Sequence, residues 1–198
     1  MSTLEVELIE KAKQGSHAAI SELLSKEQNF ILNFMYQLTG DRAEAEDLTQ
    51  EALIMGYRKI HTFLYKARFR TWLSKIALNL FRQKHRQKRK HDSLILEEII
   101  IPGEDGNPER KIIKSELQWC IIHNLQYHLP KKFRMVLVLR DLQNFSYKEI
   151  SETLGWSISK TKTMLHRARQ MFRSTFINAK CKAFTEDYHC TCDGIKNL

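Results

Sequence analysis

The stretch FSYKEISETLGWSISKTKTMLHRARQMF, residues 145–172, decides the fold, because it predicts two short helices joined by a tight turn. Ser146 and Glu149 have the spacing of a capping box at the start of the first helix. Gly155 ends that helix, since glycine tolerates the positive φ of a C-terminal cap. Ser157 can cap the second helix. The stretch therefore predicts a helix-turn-helix.

The second helix of this motif has an apolar side and a basic side. Spacings of three and four residues predict a buried face made of Ile158, Thr161, Leu165, Ala168 and Phe172. The remaining sides carry polar or basic residues, namely Ser159, Lys160, Lys162, Thr163, His166, Arg167 and Arg169. A second helix that buries an apolar face in the motif and exposes a basic face to solvent is suited to bind in a DNA major groove. The alternative is an ordinary helical hairpin with a solvated basic face.

Composition favours an intracellular, helical chain. Among 198 residues, 42% are hydrophobic, and only seven are Gly and three are Pro, which favours long uninterrupted helices. The sequence has no apolar run long enough to span a membrane and no signal peptide, so we expect a cytoplasmic chain without membrane insertion. In that compartment its four cysteines are expected to be reduced thiols or metal ligands.

The net charge of +9 is unevenly distributed along the chain. Residues 1–51 have a net charge of −6, whereas residues 52–91 carry 12 positive and no negative side chains. Residues 92–128 return to −4, and residues 129–180 reach +8. Two basic blocks thus alternate with acidic ones. The basic blocks should bind polyanions, and the acidic parts should face another protein.

The acidic N-terminal part contains a compact polar patch. We expect a helix pair over residues 3–25, a break at Gly40 and Asp41, and a helix over residues 43–60. That last helix carries the patch, which consists of Glu46, Asp47, Gln50 and Glu51. Their spacing places them together beside an apolar stripe. They form either a docking site for a basic partner or a solvated helix face.

The segment HTFLYKARFR, residues 61–70, interrupts the helical pattern with alternating rings and cations. These are Phe63, Tyr65, Lys66, Arg68, Phe69 and Arg70. Rings can stack on unpaired bases while cations hold the backbone, so the segment predicts binding to single-stranded nucleic acid. The helix that follows contains Trp72, for which a core position is the alternative. Its far end, residues 82–90, holds six Lys or Arg.

The sequence divides into four parts. We expect a helical domain over residues 1–91, a linker over 92–114 that contains the Pro/Gly cluster, and a second helical domain over 115–178. Residues 179–198 form a tail. The predicted fold class is therefore all-α, with two small helical domains joined by a linker and the helix-turn-helix in the second.

These motifs together resemble one family. The run Ala45–Leu48 with Gln50 and Glu51, followed by residues 69–73 and by Ile76, Ala77 and Asn79, resembles region 2 of the extracytoplasmic-function (ECF) sigma factors of bacterial RNA polymerase. Leu129 and Pro130, then residues 147–150, 154–155 and 165–169, resemble region 4 of the same family. Both halves occur in the family's order, and the resemblance covers roughly residues 5–175.

The resemblance implies a role for each patch. The residues Glu46, Asp47, Gln50 and Glu51 would dock on core RNA polymerase. The non-template strand of the −10 promoter element would be held by Phe63, Tyr65, Lys66, Arg68, Phe69, Arg70, Trp72, Asn79, Arg82 and Arg86. The −35 element would be read by Ser159, Lys160, Lys162, Thr163, His166, Arg167 and Arg169. The implied partners are core polymerase, promoter DNA and an inhibitory anti-sigma factor.

Three positions depart from the family's pattern. Thr161 stands where a buried valine is usual, Met164 replaces a common basic or polar residue, and Gln83 replaces a frequent aspartate.

The tail adds candidate ligands for a soft metal or a redox-sensing disulfide, which are Cys181, His189, Cys190 and Cys192. Idle thiols are the alternative there.

Two other functions compete with the sigma-factor hypothesis. A free-standing helix-turn-helix regulator would not need the aromatic and basic segment. An enzyme such as a nuclease is disfavoured because no phosphate-binding glycine loop, nucleophile elbow or zinc-protease motif occurs. We therefore predict no catalytic residues and no cofactor apart from a metal at the tail.

Overall fold

The computed structural model describes residues 3–91 and 120–178, and every regular element in these two ranges is a helix. The predicted all-α fold is confirmed. The predicted linker, residues 92–114, and the tail, residues 179–198, lie outside the described residues, as do residues 115–119 of the second predicted domain.

Four long helices build the N-terminal half, residues 3–91. They are α1 (Thr3–Lys13), α2 (His17–Thr39), α3 (Arg42–Lys59) and α4 (Phe69–His91), with a 3-10 turn at Ile60–Thr62 after α3. The breaks between them follow cap chemistry. The Ser16 side chain accepts a hydrogen bond from the Ala19 amide (3.3 Å), and that of Asp41 accepts one from the Glu44 amide (2.8 Å). Gly40 ends α2 with φ +72°.

The core of this half lies where α2, α3 and α4 meet. Phe34, Met35 and Leu38 of α2 are fully buried, and so is Leu73 of α4. Gly56 of α3 permits the close packing, because a Cβ atom there would lie 2.7 Å from Leu73 Cδ1. Residues 30–38 of α2 therefore supply a large part of this core.

The C-terminal half, residues 120–178, contains the helix-turn-helix. Its helices are α5 (residues 120–128), α6 (Lys131–Leu137, continued by a π-helical turn at Val138–Leu142), α7 (Tyr147–Leu154) and α8 (Ile158–Asn178). The capping box is formed, since Ser146 Oγ accepts from the Glu149 amide (3.2 Å) and Glu149 Oε2 accepts from the Ser146 amide (2.9 Å). Gly155 has φ +68°, and Ser157 Oγ caps α8.

The buried side of α8 differs from the prediction at its first position. Thr161, Leu165 and Ala168 are buried, but Ile158 is 48% exposed. The prediction for Ile158 is wrong because this residue precedes the first full turn that packs on the core. Thr161, the polar substitute for valine, is tolerated since its hydroxyl donates to the Ser157 carbonyl (3.0 Å).

The two halves pack against each other through a buried arginine. Arg134 of α6 is 6% exposed, and its guanidinium donates to the Leu38 carbonyl of α2 (2.9 Å), the Gln126 carbonyl (2.6 Å) and the Gln126 side-chain oxygen. Leu38 lies in the last turn of α2, where carbonyls have no donor within the helix. Arg134 therefore caps a helix of the other half. Burial lowers its pKa to about 10.

Side chains beside Arg134 extend this contact. The rings of Phe30 and Phe145 stack with centroids 6.1 Å apart, and Gln143 Nε2 donates to Gln37 Oε1 (2.6 Å). The sequence alone left the relative position of the halves open, and these contacts define it.

Replacing Gly155 tests the turn between α7 and α8. An alanine there would keep a positive φ at a cost of roughly 1–2 kcal/mol, because its Cβ opposes that conformation. The space around Gly155 is open, so no clash adds to the cost. We expect Gly155→Ala to lower the free energy of unfolding in urea by about that amount. Gly155→Asn is the matched control and should lose less, since asparagine tolerates positive φ; equal losses would contradict the cap assignment.

Candidate nucleic-acid and protein interface

The acidic patch of α3 is available to a partner. Asp47, Gln50 and Glu51 are exposed, while Ala45 and Leu48 on the other side of the helix are buried. Glu46 is partly exposed and accepts a hydrogen bond from Arg42 Nε (3.0 Å). Asp47 has one distant cationic neighbour, Lys84, at 3.7 Å. These groups are solvated and weakly paired, as a docking surface for a basic partner requires.

The structure adds an apolar residue to this patch. Ile54 is 52% exposed and lies three and four residues after Glu51 and Gln50, so it shares their side of α3. An exposed isoleucine beside carboxylates gives a docking surface an apolar contact point. The sequence analysis missed Ile54 because it considered only charges. The four-residue spacing between Gln50 and Ile54 could have placed this residue in the patch.

Two of the rings in the 61–70 segment are core residues. Phe63 and Phe69 are each 1% exposed. Their centroids lie 5.8 Å apart, and the ring of Trp72 packs on both at 5.6 and 5.5 Å. The prediction that Phe63 and Phe69 contact DNA is therefore corrected. They form the apolar support beneath Trp72, because a loop this short must anchor itself in the core.

Trp72 keeps a partly exposed surface above that support. It lines an open cleft of about 400 Å³ whose other lining side chains include Thr62, Leu64, Lys66, Lys75, Glu152 and Thr153. Leu64 is 65% exposed. A wide ring with an apolar neighbour and two lysines can hold an unstacked base and the adjacent phosphates.

Helix α1 fixes the conformation of the loop. Tyr65 has φ +58°, and its hydroxyl donates to Glu10 Oε1 (2.5 Å). Lys13 donates to the Phe63 carbonyl (3.2 Å) and lies 4.9 Å from the Tyr65 ring centroid. Burial, together with the hydrogen bond to Glu10 and its charge, raises the pKa of Tyr65 to about 12. Tyr65 is thus a loop anchor as well as a predicted DNA contact.

The arginines of the segment have internal carboxylate neighbours. Arg70 Nε donates to Glu27 Oε2 (2.6 Å), and its guanidinium lies 4.3 Å from the Phe30 ring centroid. Arg70 therefore helps to hold the segment on α2, while 47% of its side chain remains exposed, and its contact with DNA stays a prediction. Arg68 lies 3.7 Å from Glu149 of α7 and is 74% exposed along its side chain.

Glu149 joins the helix-turn-helix to the 61–72 region. Beyond capping α7, it accepts a hydrogen bond from the Thr71 hydroxyl (3.2 Å). Burial alone would raise the pKa of Glu149. Hydrogen bonds from Ser146 and Thr71 and the charge of Arg68 lower it by more than burial raises it, so the net shift of the pKa is downward. The carboxylate is therefore ionised at neutral pH and holds α7 against the first turn of α4.

Further side chains predicted for the −10 strand, the neutral Asn79 and three cations, differ in exposure. Lys66, Asn79 and Arg86 are exposed. Arg82 is partly buried, and burial lowers its pKa. Exposed cations along one segment and the adjoining helix form a track that can bind a phosphate backbone.

Helix α8 presents most of its predicted DNA face to solvent. The exposed members are Ser159, Lys160, Lys162, Thr163, His166 and Arg167. Arg169 instead forms an ion pair with Asp141, with Nε 2.9 Å from Oδ2, and this hydrogen bond raises its pKa. This ion pair ties α8 to the turn that follows α6. Arg169 is nevertheless exposed, and its contact with DNA stays a prediction.

Two kinds of site were sought among the described residues, a cluster of metal ligands and a membrane-spanning helix. Within residues 3–91 and 120–178, no group of three or more His, Cys, Asp or Glu could hold a metal ion. Over the same residues, no helix is long and apolar enough to cross a membrane. The tail's Cys181, His189, Cys190 and Cys192 lie outside the described residues, so a metal or redox role there stays a prediction.

Comparisons with known proteins match both halves of this arrangement. Residues 23–91 match the family described as sigma-70 region 2, and residues 122–172 match sigma-70, region 4. The ECF RNA polymerase sigma factor SigW of Bacillus subtilis is 31% identical over 177 residues, which cover 83% of this chain and 92% of SigW. SigE of Mycolicibacterium smegmatis is 33% identical over 164 residues, or 80% of this chain, and the match spans 63% of that longer relative.

Solved structures show the same fold. CnrH, in complex with the cytosolic domain of CnrY, has a TM-score of 0.65 at 20% identity, covering 87% of this chain and 96% of that chain. RpoE of Bartonella quintana, in complex with the anti-sigma factor NepR, has a TM-score of 0.59 at 22% identity, covering 79% and 96%. With both regions matched in order and SigW aligned over nearly its full length, the chain belongs to the ECF sigma factors of bacterial RNA polymerase.

Proposed function

We propose that each exposed surface carries one step of promoter recognition. The α3 patch of Asp47, Gln50, Glu51 and Ile54 binds core RNA polymerase. The cleft beside Trp72 captures a base of the −10 non-template strand, and α8 reads the −35 element in the major groove. The observation that carries this proposal is the exposed basic face of α8, opposite a buried face of Thr161, Leu165 and Ala168.

Base capture depends on Trp72 and on the cations near it. Extruding a base costs a few kcal/mol, which contacts in the pocket must offset. Phe63 and Phe69 pack against the Trp72 ring. Because these contacts already order the ring, stacking of a base on its exposed surface costs little side-chain entropy. Lys66 and Lys75 line the same cleft and are placed to hold phosphates. The cleft thus combines an aromatic ring with two lysines, and Glu152 of the other half also borders it.

Substitution of Trp72 separates capture from polymerase binding. Stacking of a base on an aromatic ring is worth about 1–3 kcal/mol, so Trp72→Ala should lower open-complex formation by roughly 5- to 150-fold. Permanganate footprinting of the melted strand measures this, and core polymerase affinity should be unchanged. Trp156→Ala, at a partly exposed tryptophan of the helix-turn-helix, is the control and should leave strand opening intact once promoter is saturating. Equal loss of polymerase binding and opening would make the role of Trp72 structural.

Substitution of Arg167 tests the groove assignment. This exposed side chain lies on the face of α8 assigned to the −35 element, and loss of one base or phosphate contact costs about 1–3 kcal/mol. We expect Arg167→Ala to weaken binding of the polymerase complex to promoter DNA by roughly 5- to 150-fold, with core polymerase binding retained. Lys26→Ala, which removes an equal charge from α2, should have little effect. Unchanged affinity of Arg167→Ala for promoter DNA would refute the assignment.

Both elements cannot be read while the halves are packed together. The position numbers of the −10 and −35 elements differ by about 25 base pairs. At about 3.4 Å per base pair, the two elements are roughly 85 Å apart along the DNA. In the structure, α7 is within hydrogen-bonding distance of α4, with Thr71 and Glu149 3.2 Å apart. Residues 92–119 could span about 95 Å when fully extended. We therefore infer that the halves separate when polymerase and promoter bind.

Gly40 offers a way to push the halves apart. A Cβ atom there would lie 2.7 Å from Gln126 Cγ, and Gln126 is held by Arg134 and by its own bond to the Gln37 carbonyl (3.3 Å). Asparagine tolerates positive φ, so the clash is the main effect of Gly40→Asn. We expect a larger radius of gyration by small-angle X-ray scattering. Gly155→Asn is the control, because no atom lies near a Cβ at that position, and its radius of gyration should equal that of the unmodified chain. Equal radii for all three proteins would show that the contact between Gly40 and Gln126 does not hold the halves together.

Three further parts of the proposal follow from the family. The chain acts in the cytoplasm, where polymerase is, and has no catalytic activity of its own. An anti-sigma factor binds it, as NepR binds the similar RpoE. A free-standing regulator is disfavoured because the region 2 match gives the N-terminal half a role in polymerase binding.

A further inference from the structure

Ile158 has no place in the core of the helix-turn-helix. It is the first residue of α8, directly after the Ser157 cap, and 48% of its surface is exposed. The buried side of the helix begins three residues later, at Thr161. A single exposed apolar residue on a protein surface needs no special explanation. Whether Ile158 has a binding role therefore depends on its position on the helix.

That position is the N-terminal end of the face assigned to DNA. Ile158, Lys162 and His166 follow one another at intervals of four residues, and all three are exposed. Ser159 and Thr163 form the adjacent row. In a helix-turn-helix, residues near the N-terminus of the second helix contact base edges. Ile158 therefore lies where sequence is read.

The nearest cations on α8 are held over aromatic rings of the motif. Lys160 Nζ lies 5.3 Å from the Trp156 ring centroid, and Lys162 Nζ lies 5.6 Å from that of Tyr147. An ammonium group over a ring is attracted to its face. These lysines suit phosphate contacts, which position a helix without reading sequence. Ile158 is left as the apolar side chain at this end of the reading face.

We propose that Ile158 contacts the C5-methyl group of a thymine in the −35 element. The thymine methyl is the apolar feature that base pairs present in the major groove, and apolar side chains recognise it. The contact favours thymine at one position, because cytosine has no methyl group at C5. This inference rests on the proposed placement of α8 in the groove.

The test uses the full chain bound to core polymerase. A promoter library with a randomised −35 element first gives the preferred sequence. Each thymine of that sequence is then replaced singly by uracil, which lacks only the methyl group, and affinity is measured by fluorescence anisotropy. We expect one uracil replacement to weaken binding about fourfold, the factor for removing one methyl-sized group from an apolar contact. Ile158→Ala should bind the thymine promoter about as weakly and be insensitive to uracil at that position.

A matched variant controls for loss of an exposed aliphatic side chain. Leu4 of α1 is 62% exposed and lies far from α8 in sequence, so Leu4→Ala should keep the full uracil effect. The proposal is overturned if the preferred element holds no thymine, or if every uracil replacement affects the unmodified chain and Ile158→Ala equally. It is also overturned if Ile158→Ala lowers core polymerase affinity without altering base preference. Failure of the groove placement itself is recognised separately, by Arg167→Ala retaining promoter affinity.

Discussion

The guanidinium of Arg134 defines how the two regions meet. Burying a cation is costly unless oxygens accept its hydrogen bonds, and here the Leu38 carbonyl and both oxygens of Gln126 accept from the two terminal nitrogens. Because Leu38 lies in the last turn of α2, this interaction places α6 of region 4 at the end of a core helix of region 2. The stack of Phe30 on Phe145 and the position of α7 beside α4 follow from that placement.

This packing affects the two proposed DNA-binding surfaces differently. The proposed reading face of α8 remains exposed, so it is accessible to duplex DNA. The cleft beside Trp72 is bordered by Glu152 and Thr153 of region 4, and Arg68 has the Glu149 carboxylate 3.7 Å away. A phosphate approaching Arg68 must therefore replace an internal anion. Exposed ion pairs are weak, so polymerase contacts and DNA can displace this one.

The sequence pattern did not reveal which rings and cations have partners inside the protein. Phe63 and Phe69 were assigned to DNA because rings alternate with cations there, yet both rings are buried against each other and Trp72. Arg70 and Arg169 were counted as basic contacts, and each also pairs with a carboxylate, of Glu27 and Asp141 respectively. For the two arginines the partner lies 28 or more residues away in sequence, and local spacing carries no information about it.

By itself, the sequence determined the breaks at Gly40 and Gly155, the helix-turn-helix and the family, because caps, glycines and apolar periodicity act within a few residues. It also determined which blocks are basic and which are acidic. Only the tertiary structure decided which of those side chains remain available: Trp72 supported from below, Ile158 left outside the core, and Arg134 buried between the regions. The physical reason is that burial and ion pairing depend on contacts between helices distant in the chain.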